Sequence, residues 1–227
     1  IAHHGRPIQY AYVPAPLALR DVWTRFAAVP AAFEAPSAGF ALDWQLIREL
    51  RARGVAFATL THAAGISSTG DAALDALLPL DEPYEIPRAT AGAIAGARER
   101  RGRVVAVGTT VVRALEAAAI GQGRVRPGQS VATQRIDATS RLQIVDALLT
   151  GTHEPGTSHH ALLGAFAPAE TLLRADRALD AHAYRTHEFG DSMLITRASA
   201  FSGRRTPSAL THLAHAPNIR MPPSSAA

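Results

Sequence analysis

The stretch GRVVAVGTTVVRALEAAAIG, residues 102–121, decides how the rest of the chain is read. Arg103-Val-Val-Ala-Val107 is a short β-branched apolar run, the pattern of a strand buried on both faces. Gly108-Thr109-Thr110 breaks that run, and Val111 to Ile120 has helical composition. Gly121 then stands where a helix end takes the left-handed conformation. Strand, small-residue turn and helix together present main-chain N–H groups at a helix N-terminus, where polar or anionic ligand groups can dock. Arg113 and Glu116, three apart, can share one side of that helix. The turn is not a Walker loop, because no Gly-Lys-Ser/Thr follows it. Nor is a complete G-x-G-x-x-G present, since Gly121-Gln-Gly123 meets Arg126.

Working outward, the same alternation recurs. Ile8, Tyr10 and Tyr12 alternate as on a strand, and Asp21 to Ala28 predicts a short helix or turn. Asp43 caps a helix carrying Leu46, Ile47 and Leu50 on one face and closing at Gly54. Val55 to Thr61 predicts a strand that runs into the small-residue loop His62 to Gly70. Ala72 to Leu78 predicts a short helix. The segment Asp81 to Pro87 is extended, because each proline pushes its predecessor out of the helical region. Pro87 can open the helix Arg88 to Arg101. A polar loop is expected over Gln122 to Arg135. Arg141 to Leu149 predicts a strand, Pro168 a helix start, and the segment ending at Ile195 a last short strand. Strands alternating with helices predict an α/β layered domain with a mostly parallel sheet flanked by helices over residues 1–195. Residues 196–227, rich in Pro, Ser, Arg and Ala, predict a flexible basic tail.

Composition narrows the chemistry. The 227 residues suffice for a core without staples, and 47% hydrophobic with 19% charged residues argues against wholesale disorder. There is no cysteine, which excludes disulfides, thiolate metal sites and a Cys nucleophile. No apolar run is long enough to span a bilayer, and no signal-peptide pattern opens the chain; a cytoplasmic location is expected. The formal charge of +4 is carried by Arg197, Arg204, Arg205 and Arg220, which have no acid beside them after residue 195. Residues 1–195 are therefore balanced, and net charge by itself makes no case for a nucleic-acid surface.

The densest polar stretch is Thr150 to His160, with His153, Glu154, His159 and His160. It is not H-E-x-x-H, and Pro155 forbids a regular helix there, so no metal is expected. Ser158 is not in a G-x-S-x-G elbow. Neutral histidines in such a loop bind polar groups or move protons. Four loops follow expected strands: 37–39, 62–68, 108–110 and 150–158. At the carboxyl edge of a parallel sheet they would line one cleft.

With these motifs in place, VAVGTTVVRALEAAA resembles the V-G-T-T-x-V-R-x-L-E signature of the S-adenosylmethionine:tRNA ribosyltransferase-isomerase family of queuosine biosynthesis. APSAGF, TLTHAAG, EPYEIP, VDALLTGTHEP and EFGDSMLI resemble its further motifs in the same order, over residues 21 to 195. The departures are Ala41 for the family's His, Ile66-Ser-Ser68 for its Gly-Thr-Phe, and the loss of its Asn, Phe and Lys around His153. They mark a divergent branch.

The resemblance implies transfer and isomerisation of the ribosyl group of S-adenosylmethionine onto 7-aminomethyl-7-deazaguanine in tRNA, with release of adenine and methionine. It implies S-adenosylmethionine as co-substrate with no permanently bound cofactor, tRNA as partner, and an inserted β-barrel domain lying outside this chain. Carried over by position, His62, Glu85 and His153 are the proton-transfer candidates. Ser37, Gly39, Tyr84, Gly108, Thr109, Thr110, Arg113, Glu116, Gly190 and Asp191 are the binding candidates. Arg113 would orient a carboxylate, that of the methionine moiety or Glu116. Two other readings stand beside this one: a relative acting on a small nucleoside, and a binding domain without turnover.

Overall fold

The computed structural model describes residues 7–8, 13, 16–29, 32, 34–121, 123–185, 190–197 and 210–214. A short helix α1 (Leu19–Val22) and a single 3-10 turn over Ser37–Ala41 lead into α2 (Trp44–Ala52). The Asp43 side chain accepts the N–H of Leu46 at 2.6 Å, and Gly54 takes φ 83°, so both ends of α2 are set as the residues require. Then come β1 (Thr61–His62), α3 (Ala72–Asp75), β2 (Glu82–Ile86) and α4 (Arg88–Glu99), which Pro87 caps. The central unit is β3 (Val105–Val107) and α5 (Thr109–Ala117), with Gly121 at φ 82° beyond it. The chain continues through β4 (Gly128–Ala132), β5 (Ala147–Gly151), α6 (Ser158–Leu163), α7 (Ala169–Ala181), β6 (Ser192–Thr196) and β7 (Leu210–Ala214).

The strands form two sheets. One has the order β1-β2-β4 and is antiparallel throughout; the other has the order β3-β5-β6-β7. The expected mostly parallel sheet is therefore mixed. Among the described strands only β3 and β5 run parallel, and β6 and β7 are antiparallel to their neighbours. The reason is connectivity. The chain leaving α5 crosses to β2 as β4 before returning as β5, and the two helices α6 and α7 bring β6 back beside β5 in the opposite sense.

Four local expectations also change. The polar loop 122–135 contains β4, an exposed edge strand whose polar outer residues hide its pairing with β2. Of Val55 to Thr61, only Thr61 enters a ladder, as part of β1. Val105 is 51% exposed, because β3 is an edge strand and buries only one face fully. Residues 210–214, within the expected tail, pair with β6 along its open edge. The strand expected over Ile8–Tyr12 lies outside the described residues apart from Ile8.

The core lies between the two sheets and the helices. Ile144, Val145, Leu148, Leu163, Met193 and Ile195 meet Val112, Ala114 and Leu115 of α5 and Tyr84 and Ile86 of β2. One helix face thus joins both sheets, which fixes the loops at its N-terminus. Farther from those loops, Asp146 ties the layers together. Its carboxylate takes Arg98 at 3.0 Å, Arg197 at 2.9 Å and the N–H of Val104 at 2.9 Å.

Candidate functional site

The four loops do converge, although around two sheets rather than along one. Ala38 packs 3.7 Å from where a Cβ on Gly108 would stand, so the 3-10 turn lies across the β3–α5 junction. Gly39 is buried there, where a Cβ would meet the Phe26 ring at 2.7 Å, and Ser37 is half-buried beside it. Glu34 accepts the N–H and hydroxyl of Ser67 at 2.8 and 2.9 Å, which joins the first loop to the second.

At the centre is a buried ion pair. Arg113, from α5, meets Glu82 of β2 and donates to the carbonyls of Leu80 and Ala132 at 3.0 and 3.1 Å. The other oxygen of Glu82 accepts the N–H of Gly65 at 2.6 Å. Burial pushes the Glu82 carboxyl up, against the pull of the Gly65 N–H and the Arg113 guanidinium. Arg113 therefore orients a carboxylate as expected of its type, but that carboxylate is Glu82 and not Glu116. Glu116 instead accepts the N–H groups of Gln143, Ile144 and Val145 at 2.7, 3.0 and 2.9 Å, holding the approach to β5.

His62 lies against this pair, its Nε2 3.5 Å from Glu82 and its side chain only 4% exposed. Burial, with Arg113 adding to it, lowers its pKa to about 4. Tyr84, opposite His62 across the ladder, is buried in the core. Between β5 and α6, His153 bonds Thr150 Oγ1 through Nε2 at 2.8 Å, and its ring centroid is 5.1 Å from that of His159. Burial and then the neighbouring imidazoles lower His153 to about 3. His159 is also lowered by burial, with Glu34 opposing and Arg113 adding. These shared influences put Glu34, Glu82, Arg113, His62 and His159 within one electrostatic neighbourhood. Neutral imidazoles in such a place donate and accept hydrogen bonds rather than carry charge.

Other candidates fall beside the cluster. Gly108, at φ 100°, spends its N–H on the carbonyl of Leu149 at 2.8 Å. The N–H groups of Thr109 and Thr110, in the first turn of α5, have no carbonyl one turn earlier and are the ones a ligand can use. Asp191 is buried and accepts the N–H of Arg185 at 2.8 Å, while its carbonyl takes the N–H of Thr152; with Gly190 it anchors the segment just before His153. Glu85 lies on the exposed face of β2, within 3.2 Å of Gln129, on the other side of the strand from Glu82. Among the described residues no three His, Asp or Glu side chains form a metal-binding group.

Glu82, Glu34 and His159 are the site members that the proton-transfer and binding candidates lacked. Glu82 was within reach of the sequence. Side chains alternate along a strand, so a buried Tyr84 puts Glu82, and not Glu85, on its face. Glu34 has no comparable signal, because its partners come from loops distant in sequence.

Comparison with known proteins identifies the family. The family described as queuosine biosynthesis protein matches residues 1–195. A curated S-adenosylmethionine:tRNA ribosyltransferase-isomerase of Sorangium cellulosum (strain So ce56) is 44% identical over 182 residues, 78% of this chain and 49% of that protein. A protein of the same name from Burkholderia mallei is 39% identical over 210 residues, 87% of this chain and 58% of its own length. A crystal structure of S-adenosylmethionine tRNA ribosyltransferase from Thermotoga maritima superposes with a TM-score of 0.57 at 33% identity, covering 70% of this chain and 51% of that one. The chain thus spans about half the length of the curated relatives it matches.

Proposed function

The chain belongs to the family of queuosine biosynthesis proteins, and from that membership we propose that it serves S-adenosylmethionine-dependent tRNA ribosyl transfer and isomerisation. The substrate base is 7-aminomethyl-7-deazaguanine in tRNA, and the products are epoxyqueuosine, adenine and methionine. Residues 1–195 carry the activity, in the cytoplasm; no described helix is long and apolar enough to cross a membrane. S-adenosylmethionine acts as co-substrate, and no permanently bound group takes part.

The observation that supports this reading is the meeting of His62, Glu82 and Arg113, from β1, β2 and α5, with Glu34 and the His153–His159 pair contributed by neighbouring segments. The first N–H groups of α5 hold an anionic or polar group of S-adenosylmethionine. Loss of adenine from the ribose needs a proton delivered to the departing base. His153 serves there as a hydrogen-bond donor and not as the proton source, since its ring is held neutral. With the Thr150 hydroxyl donating to its Nε2, its Nδ1–H is left to stabilise the departing base, which takes its proton from solvent. Glu85 has no part in this step, since it lies on the opposite face of β2.

The test is adenine release from S-adenosylmethionine by the intact protein in the presence of tRNA bearing the aminomethyl base. The expected result is stoichiometric release that depends on the tRNA. Absence of release with both substrates bound would sink the proposal.

A further inference from the structure

His62 is 4% exposed at its side chain, yet neither ring nitrogen has a hydrogen-bond partner. A core histidine is ordinarily satisfied on at least one side, because a buried polar atom without a partner is costly. Nε2 lies 3.5 Å from Oε2 of Glu82, too long for a good bond but well within the field of the carboxylate. Glu82 cannot swing closer. One of its oxygens holds the N–H of Gly65 at 2.6 Å, and the other holds Arg113, itself fixed by the carbonyls of Leu80 and Ala132.

A fixed carboxylate facing a neutral imidazole selects the tautomer. The N–H turns toward the oxygens and the lone pair is left on the far nitrogen. We propose that Glu82 is a positioning residue that holds His62 as the Nε2–H tautomer, leaving Nδ1 as a buried acceptor for an N–H group of a purine-type base. Arg113, beyond Glu82, disfavours the imidazolium and so keeps that lone pair available. The ligand class rests on the proposed function, in which two bases present such donors: the adenine of S-adenosylmethionine and the deazaguanine of tRNA.

Long-range ¹H–¹⁵N correlation of the ¹⁵N-histidine-labelled protein reads the tautomer directly. The expected spectrum shows His62 with Nε2 protonated and Nδ1 bare from pH 6 to pH 8. An Nδ1-protonated ring, an averaged pair of tautomers or an imidazolium would overturn the proposal. Glu82→Asp retains the single tautomer and Glu82→Gln loses it; if Glu82→Gln fails to fold, the wild-type spectrum still decides. Titration with S-adenosylmethionine in one arm and free 7-aminomethyl-7-deazaguanine in the other moves the Nδ1 resonance in the arm whose base donates. A resonance that moves in neither arm overturns the acceptor role. Adenine release with the wrong tautomer overturns this inference and leaves the proposed reaction standing. The right tautomer with a ligand-shifted Nδ1 and no adenine release supports the inference and overturns the reaction.

Discussion

Arg113 of α5 and Glu82 of β2, 31 residues apart in the chain, form a buried ion pair that joins the helix to the β1-β2-β4 sheet. Each partner has further hydrogen bonds, to Gly65 on one side and to Leu80 and Ala132 on the other. Removing one member leaves a desolvated charge, which costs about 3–5 kcal/mol. Arg113→Met and Glu82→Leu should each destabilise by about that much, and the double variant by less than the sum of the two. Urea unfolding of the four proteins measures it; additive losses would mean that the pair is not coupled.

Glu116, on the same helix, predicts a different outcome. Its carboxylate accepts three successive main-chain N–H groups before β5. In Glu116→Gln the amide can keep the acceptor for two of them and opposes the third with a donor. Stability should fall by about 1–3 kcal/mol, while affinity for S-adenosylmethionine per folded molecule stays unchanged. Calorimetric binding alongside denaturation separates the two. A selective loss of affinity would restore Glu116 to the binding set.

These two residues show what could be read from the chain and what could not. Strand, turn and helix over 102–121 were legible because the β-branched run, Gly108 and Gly121 each act locally, as do the Asp43 cap and the proline starts of α4 and α7. Helical spacing placed Arg113 near Glu116, but their actual partners come from β2 and from the segment before β5, and local spacing carries no information on such pairs. Strand β4 was missed because its exposed face is polar, and the sense of β6 because two helices can return a strand either way. The contacts of the turn over 37–41 with Gly108 and of Glu34 with Ser67 follow from loops that succeed one another after strands, while motif position favours Glu85 over Glu82 against the alternation of β2.

The imidazoles set a pH dependence of stability. His62 has a folded pKa of about 4 and His153 of about 3, against an ordinary value of 6.5, so the unfolded chain binds protons that the fold refuses. Their contribution is fully present above pH 6.5 and is lost as the pH falls toward 4. Glu82, pushed upward by burial, acts in the opposite sense nearer its own range. Between pH 7 and pH 5 the melting temperature should therefore fall. His62→Gln should flatten the slope by at most about 1.4 kcal/mol per pH unit. Melting curves at four pH values check this, and a slope unchanged by the substitution would show that folding does not shift the titration of His62.

Gly108 couples the fold to the cleft. Its φ of 100° and ψ of 144° form a backbone conformation that L side chains rarely adopt. Space is not the obstacle, since a Cβ would stand 3.5 Å from Thr110 Oγ1 and 3.7 Å from Ala38, ordinary contact distances. The strain is in the backbone, of order 1–3 kcal/mol. Relieving it would rotate the peptide that donates to Leu149 and turn the first N–H groups of α5 away from the cleft. Gly108→Ala should thus lower stability by that amount and weaken S-adenosylmethionine binding about tenfold. Thr110→Val, which keeps the same main-chain N–H, should bind nearly as wild type. Equal losses in the two variants would shift ligand recognition from the helix N–H groups to the Thr110 hydroxyl, whereas loss in Gly108→Ala alone assigns it to the main chain.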